Sequence, residues 1–189
     1  MRILYQKRKR KPIYDERTGE PPTEDQIERM TAQAKRVVEY WIASRDHSRK
    51  ELYEKIKRKG ITDQVADEVL DHYEEKGWIN DENFAELFVS SKIRYEKYGR
   101  QALKYKLREK GVSQDIIDKV LEEIEPETEE ENARSIALKK ALSTQKVEHQ
   151  KRVNQIVGML VRKGYGSNVW RIAQEAIEEA DADLASDET

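Results

Sequence analysis

The chain has 189 residues, of which 39% are charged and 37% hydrophobic, with a net charge of −2 and no cysteine. Average globular domains hold about 25% charged and about 45–50% apolar residues, so a single thick core is excluded. The missing cysteines exclude a disulfide framework, a thiolate nucleophile and a cysteine zinc site. No window approaches the roughly 18 apolar residues of a spanning helix. The start, Met1-Arg2-Ile3-Leu4 running into Lys7–Lys11, lacks the apolar stretch of a secretory signal, so a soluble, cytoplasmic protein is expected.

Residues 1–22 form a basic arm punctuated by Pro12, Gly19, Pro21 and Pro22, and a flexible segment is expected there. A short strand over Met1–Tyr5 or a DNA-touching tail remain open for it. From Pro22-Thr23 a helix is predicted, with Ile27, Met30, Ala34, Val37 and Trp41 on one stripe. Ser48-Arg-Lys-Glu51 is a capping box that starts the next helix, carrying Leu52 and Ile56 inward to Gly60. Thr62 caps another, with Val65, Val69, Leu70 and Tyr73 inward until Gly77. Trp78 precedes the Asp81 cap and is expected to pack as a hydrophobic staple. The following helix turns Phe84, Leu87, Phe88, Ser91 and Tyr95 inward. Beyond Gly99 the plan repeats: Arg100–Lys110, Ser113–Glu125, and, after a break at Pro126, a helix opened by the capping box Thr128-Glu-Glu-Glu131. Lys146–Lys163 and roughly 168–180 complete the series.

A repeat underlies this order. Gly60, Gly111 and Gly164 align, each preceded by lysine (Lys59, Lys110, Lys163). Leu52, Leu103 and Ile156 stand eight residues before the glycines, and Ile56, Leu107 and Leu160 four before. Ile61, Val112 and Tyr165 come one after; Val65, Ile116 and Val169 come five after. The predicted fold is all-α: three tandem three-helix units in an elongated, curved array, each unit too small to close its own core. The boundaries read 23–76, 77–125 (with a linking helix over 82–98) and 126–180, followed by an acidic tail over 181–189.

Charge follows the repeat. Arg49–Lys59 carries +4, Lys92–Lys110 +6 and Lys146–Lys163 +4, while in the first two units the next helix is acidic. Seven acids and no base lie from Ile172 to Thr189, so residues 1–171 carry +5. A basic strip beside an acidic one suits a long polyanion or the repeating surface of a filament. The opposing account is that neighbouring helices pair their charges. The strip supplies the candidate binding residues: Arg49, Lys50, Lys57, Arg94, Arg100, Lys104, Arg108, Arg152 and Arg162, with Tyr98 as an exposed aromatic contact among the cations. Tyr95 fits the inward stripe. His47, His72 and His149 sit in different units, exposed or next to caps, and none belongs to a metal-binding pattern. With no nucleophile–base pair and no phosphate-cradling loop, neither an enzyme nor a cofactor is expected.

Several segments resemble the RecX family: Arg45-x-x-Ser48-x-x-Glu51-Leu52 with Lys59-Gly60, Gly77-Trp78-Ile79-Asn80-Asp81-Glu82-Asn83-Phe84-Ala85, and Arg94, Gly99 and Lys110-Gly111. The likeness spans about residues 34 to 177. It implies tandem three-helix units and a non-catalytic protein that binds the RecA recombinase filament on single-stranded DNA. Restraint of ATP hydrolysis, strand exchange and the SOS response would follow, with possible contact to the single strand. Gly99-Arg100 departs from the frequent Gly-Pro of that family, and the acidic tail lies outside its pattern. A monomer is expected. The rival reading is a helical DNA- or RNA-binding protein that works without RecA.

Overall fold

The computed structural model describes residues 13–166 and 168–187. Among them the chain forms nine α-helices and no strand, and the chain divides into two compact units between Asp81 and Glu82.

The first unit holds α1 (Glu24–Ile42), α2 (Arg49–Lys57) and α3 (Asp63–Glu75). Thr23 opens α1 with a reciprocal capping box: its Oγ1 accepts from Gln26 N–H, and the Gln26 side chain accepts from Thr23 N–H. Met30, Ala34 and Val38 then meet Leu52 and Ile56 of α2 and Val65, Val69, Leu70 and Tyr73 of α3 in one core. Burying each of the larger side chains contributes roughly 1.5–3 kcal/mol. Trp41 is only half-buried at the margin, where the Lys55 ammonium lies 3.3 Å from its ring centroid. Of the segment read as a basic arm over 1–22, residues 13–22 are described. Ile13 and Tyr14 pack on this core, Tyr14 donates to Glu20 O at 2.6 Å, and Gln26 reaches back to Ile13 O. Lys7–Lys11 and the optional strand lie outside the described residues.

Trp78 does not act as the staple. The helix after it, α4 (Asp81–Ser91), starts at Asp81 itself, so the position two residues before the helix belongs to Ile79, which is buried. Trp78 is largely exposed, its ring 5.6 Å from Tyr73.

The second unit carries α4, α5 (Arg100–Glu109), α6 (Gln114–Glu122), α7 (Pro126–Leu142), α8 (His149–Arg162) and α9 (Val169–Asp187). It contains two separate cores. Phe84, Ala85 and Val89 of α4 close with Leu103, Leu107, Ile117, Val120 and Leu121; Ala133, Ala137 and Ala141 of α7 close with Ile156, Leu160, Ile172, Ala173 and Ile177. With the core of α1–α3, the buried residues group into one cluster for each three-helix set. Ala133, Ala137 and Ala141 put short side chains on the α7 face of this core.

Four local expectations change here. Leu87 is exposed, because the inward face of α4 is Phe84, Ala85, Phe88 and Val89. Tyr95 is 74% exposed rather than inward. A π-helical turn over Lys92–Glu96 widens the helix, with Lys97 N–H bonding Lys92 O and Lys97 itself at φ 49. The inward series therefore steps from Ile93 to Tyr98 and passes Tyr95 by. Pro126 does not break the chain but opens α7 at its first position, so Thr128 lies inside the helix and cannot cap it. Finally, α8 begins at His149, capped by Glu148, and α9 continues past Ala180 to Asp187.

Candidate binding cleft

The helix that follows each basic helix answers its charge. Arg49, first residue of α2, reaches Glu74 at 2.7 Å, Asp71 at 2.8 Å and Asp67 at 3.0 Å, all on α3. Burial works against its charge, but the three carboxylates outweigh that and hold the Arg49 pKa above its usual value. Lys57 pairs with Asp63 at 2.5 Å, which with Tyr53 pulls the Asp63 pKa down. Lys104 pairs with Asp118 at 3.0 Å, and Arg108 donates twice to Gln114 Oε1. Arg152 is 4% exposed, clamped by both oxygens of Asp181 at 2.9 Å, with its Nε left without an acceptor among the described residues.

Arg100 is the most engaged of all. Its backbone N–H and Nε donate to Glu129 at 2.9 and 2.8 Å, one terminal nitrogen donates to Leu121 O at 2.9 Å, and the other to Ile124 O. It donates to carbonyls at and just beyond the end of α6, where Leu121 O also accepts from Ile124 N–H. An arginine here, in place of the proline frequent in the resembled family, keeps the N–H that Glu129 accepts.

Of the ten residues read as a binding strip, the structure therefore commits Arg49, Lys57, Arg100, Lys104 and Arg152 to ion pairs, and Arg108 to Gln114. Lys50 is exposed on α2. Arg94 is exposed beside the Tyr95 ring, and Arg162 is exposed at the end of α8. Tyr98 is half-buried rather than free, because it packs on the core and lies between two ammonium groups, Lys106 at 4.7 Å and Lys163 at 4.5 Å from its ring. Charge pairing across helices consumes most of the strip.

Of what remains, Tyr98 and Arg162 line one cleft, while Lys50 and Arg94 do not. The start of α5 and the end of α8 are joined through backbone: Gly99 N–H donates to Lys163 O at 2.8 Å and Gln101 N–H to Gly164 O at 3.2 Å. Lys163 Nζ donates to Glu96 O at 2.6 Å, and Tyr165 Oη donates to Lys97 O at 2.9 Å. Burial, with Glu129 nearby, pushes the Tyr165 pKa well up, so the phenol stays a donor. No side chain fits in this joint. A Cβ on Gly99 would stand 2.6 Å from Gly164 O, and one on Gly164, already at φ +90, 2.2 Å from Ala102 N. Above the joint opens a cleft of 360 Å³ lined by Tyr98, Gln101, Ala102, Tyr105, Lys106, Val161, Arg162 and Gly164. Tyr105 is 63% and Val161 55% exposed.

Sequence reading missed Gln101, Tyr105, Lys106 and Val161. The signal available was two apolar side chains lying off the inward stripes of Leu103–Leu107 and Ile156–Leu160. The cleft holds two cations, two phenols and aliphatic surface, groups that suit binding. Among the described residues no group of histidines and acids is placed to hold a metal, and no helix is long and apolar enough to cross a membrane. His47 is buried with its Nδ1 on Arg45 O, and burial lowers its pKa, so it packs as a neutral ring against Trp41.

Comparison with known proteins agrees with this architecture. The family model described as RecX, first three-helix domain, matches residues 34–72, and that described as RecX, second three-helix domain, matches 80–121. The chain is similar to the protein called Regulatory protein RecX of Streptomyces coelicolor, 35% identical over 87% of this chain and 86% of that one. A RecX protein from Thermobifida fusca is 30% identical over 87% and 89% of the two chains. The crystal structure of RecX from Lactobacillus salivarius superposes with a TM-score of 0.68 at 21% identity, covering 81% of this chain and 97% of that one. Three-helix units in this order, with relatives that match along nearly the whole length, place the chain in the RecX family of regulatory proteins.

Proposed function

We propose that this protein binds the RecA recombinase filament on single-stranded DNA and lowers its rate of ATP hydrolysis, acting by binding and without catalysis of its own. The observation that carries the reading is the 35% identity along 87% of the chain to a regulatory RecX protein. The internal pairing of the basic helices supports it over the rival, a nucleic-acid binder independent of RecA. A bare polyanion is held by unpaired cations arrayed along its phosphates, and Arg49, Lys57, Arg100, Lys104 and Arg152 are already engaged. Contacts to successive RecA protomers would oppose the subunit rearrangement that hydrolysis and strand exchange require, and thereby recombination and SOS induction. The site proposed for those contacts is the α5–α8 cleft together with the exposed Arg94, in a monomer of the cytoplasm. Titrating the protein into a RecA ATPase assay on single-stranded DNA tests this. The rate is expected to fall at near-stoichiometric amounts; an unchanged rate at several-fold excess of folded protein rejects the proposal.

A further inference from the structure

We infer that the α5–α8 cleft takes a short acidic segment of the RecA protein carrying one apolar side chain, and that it does not take the DNA strand. The inference rests on the filament-binding reading above and adds what the cleft recognises.

The lining is one-sided in charge. Lys106 and Arg162 contribute cations and no lining residue is a carboxylate. Glu96, in the turn before α5, is already bound by Lys92 and Tyr98, and these partners lower its pKa from the usual value. An anionic partner is thereby favoured. The lining is also apolar where it is most open. Tyr105 and Val161 leave more than half of their surfaces uncovered, and Ala102 and Gly164 form a smooth floor beneath them. At 360 Å³ the space is near the lower end of ligand pockets, about 300–1,000 Å³, and suits one anchoring side chain with its neighbours.

A nucleic-acid strand fits less well. Strand binders offer free aromatic faces for successive bases and a continuous track of cations for the backbone. Here the Tyr98 ring is approached by both Lys106 and Lys163, which leaves Tyr105 as the open ring of the cleft. On the same helix Arg100 and Lys104 are taken by Glu129 and Asp118. A local cationic rim around an apolar seat matches an acidic peptide segment with one apolar anchor. The joint beneath is backbone against backbone, so the seat is formed before the partner arrives and little ordering is needed on binding.

The test compares the full chain with the double variant Val161→Glu/Arg162→Glu and with Tyr105→Ser. All three side chains are solvent-facing, and circular dichroism melting checks the fold. Binding is measured by anisotropy to RecA filaments assembled on labelled oligo-dT with a slowly hydrolysed ATP analogue, and to the oligo-dT alone. The double variant is expected to bind filaments about tenfold or more weakly, the scale of losing an interface anchor, and Tyr105→Ser to weaken in the same direction. Affinity for bare oligo-dT is expected not to change. Filament binding equal to the parent in both variants overturns the inference while leaving the filament reading intact. An equal loss on bare oligo-dT also overturns it, by showing that the cleft holds the strand. A parent that binds no filament removes the functional reading itself.

Discussion

The first turns of α2 and α5 occupy the same place in successive repeats, with Arg49 and Arg100 separated by the repeat length of 51 residues. Both arginines donate their backbone N–H to a carboxylate supplied from further along the chain, Asp81 at 2.8 Å and Glu129 at 2.9 Å. The rest differs. At α2, Ser48 caps with its side chain, accepting from Glu51 N–H, and the Arg49 guanidinium spreads over three half-exposed acids. At α5, Gly99 has no side chain to cap with; its role passes to the last carbonyls of α8, while Arg100 goes to the carbonyls closing α6. One repeat position thus performs one mechanical task by two routes. A local cap leaves α2 self-sufficient, whereas α5 depends on a helix more than fifty residues away.

That contrast breaks most sharply at Gly164. Gly164→Ala is expected to cost at least about 4 kcal/mol, because the methyl collides with backbone and the residue is held at φ +90. Gly77→Ala, at φ +69 but with open space around it, is expected to cost only about 1–2 kcal/mol, the conformational part alone. Urea denaturation measures both; similar losses would mean that the α5–α8 joint does not bear on stability.

The arginines give the next largest effect. Arg100→Glu is expected to cost about 3 kcal/mol, since it removes the guanidinium donors to Leu121 O and Ile124 O and sets an acid against Glu129. Arg49→Glu is expected to cost about 1–2 kcal/mol, because its partners are more exposed and screened. Arg94→Glu, which has no ion pair among the described residues, should stay within about 0.5 kcal/mol. If Arg94→Glu weakens filament binding with stability unchanged, binding and structural cations are separated. Equal costs at 49 and 100 would erase the distinction between the two helix starts.

The smallest expected effect concerns acid. The hydrogen bonds from Arg152 hold the Asp181 pKa below the usual aspartate value. A carboxylate with a lowered folded pKa stabilises above its unfolded value, and that stability is lost as pH falls toward the folded pKa. Arg152→Met, which keeps the volume, is expected to lie within about 1 kcal/mol of the parent at pH 7. It should also lose less stability than the parent on going below about pH 4. Denaturation curves at pH 7 and pH 3.5 check both halves. A parallel fall of the two proteins would show that the pair does not respond to acid.

Helical periodicity, the starts of α1 and α2 and the glycine repeat were legible in the chain because they depend on near neighbours. Thr23 with Gln26, the Leu52–Ile56 and Leu103–Leu107 stripes, and left-handed Gly60, Gly111 and Gly164 are all settled within one or two turns. The error at Tyr95 came from a widened turn, which shifts every later residue by one place and leaves no mark on a regular period. The candidate binding residues were harder still. The chain shows where cations stand, but whether a cation is free depends on what the next helix places opposite it. Arg100 and Arg94, six residues apart in one basic stretch, separate completely: Glu129, Leu121 and Ile124 converge on the first, while the second stays exposed beside Tyr95. Short-range order specified the helices and most of their inward faces; long-range packing decided which charges were spent inside the protein and which were left exposed. The physical reason is that a charge is used up by whatever lies within a few ångströms of it, and only the folded chain determines that distance.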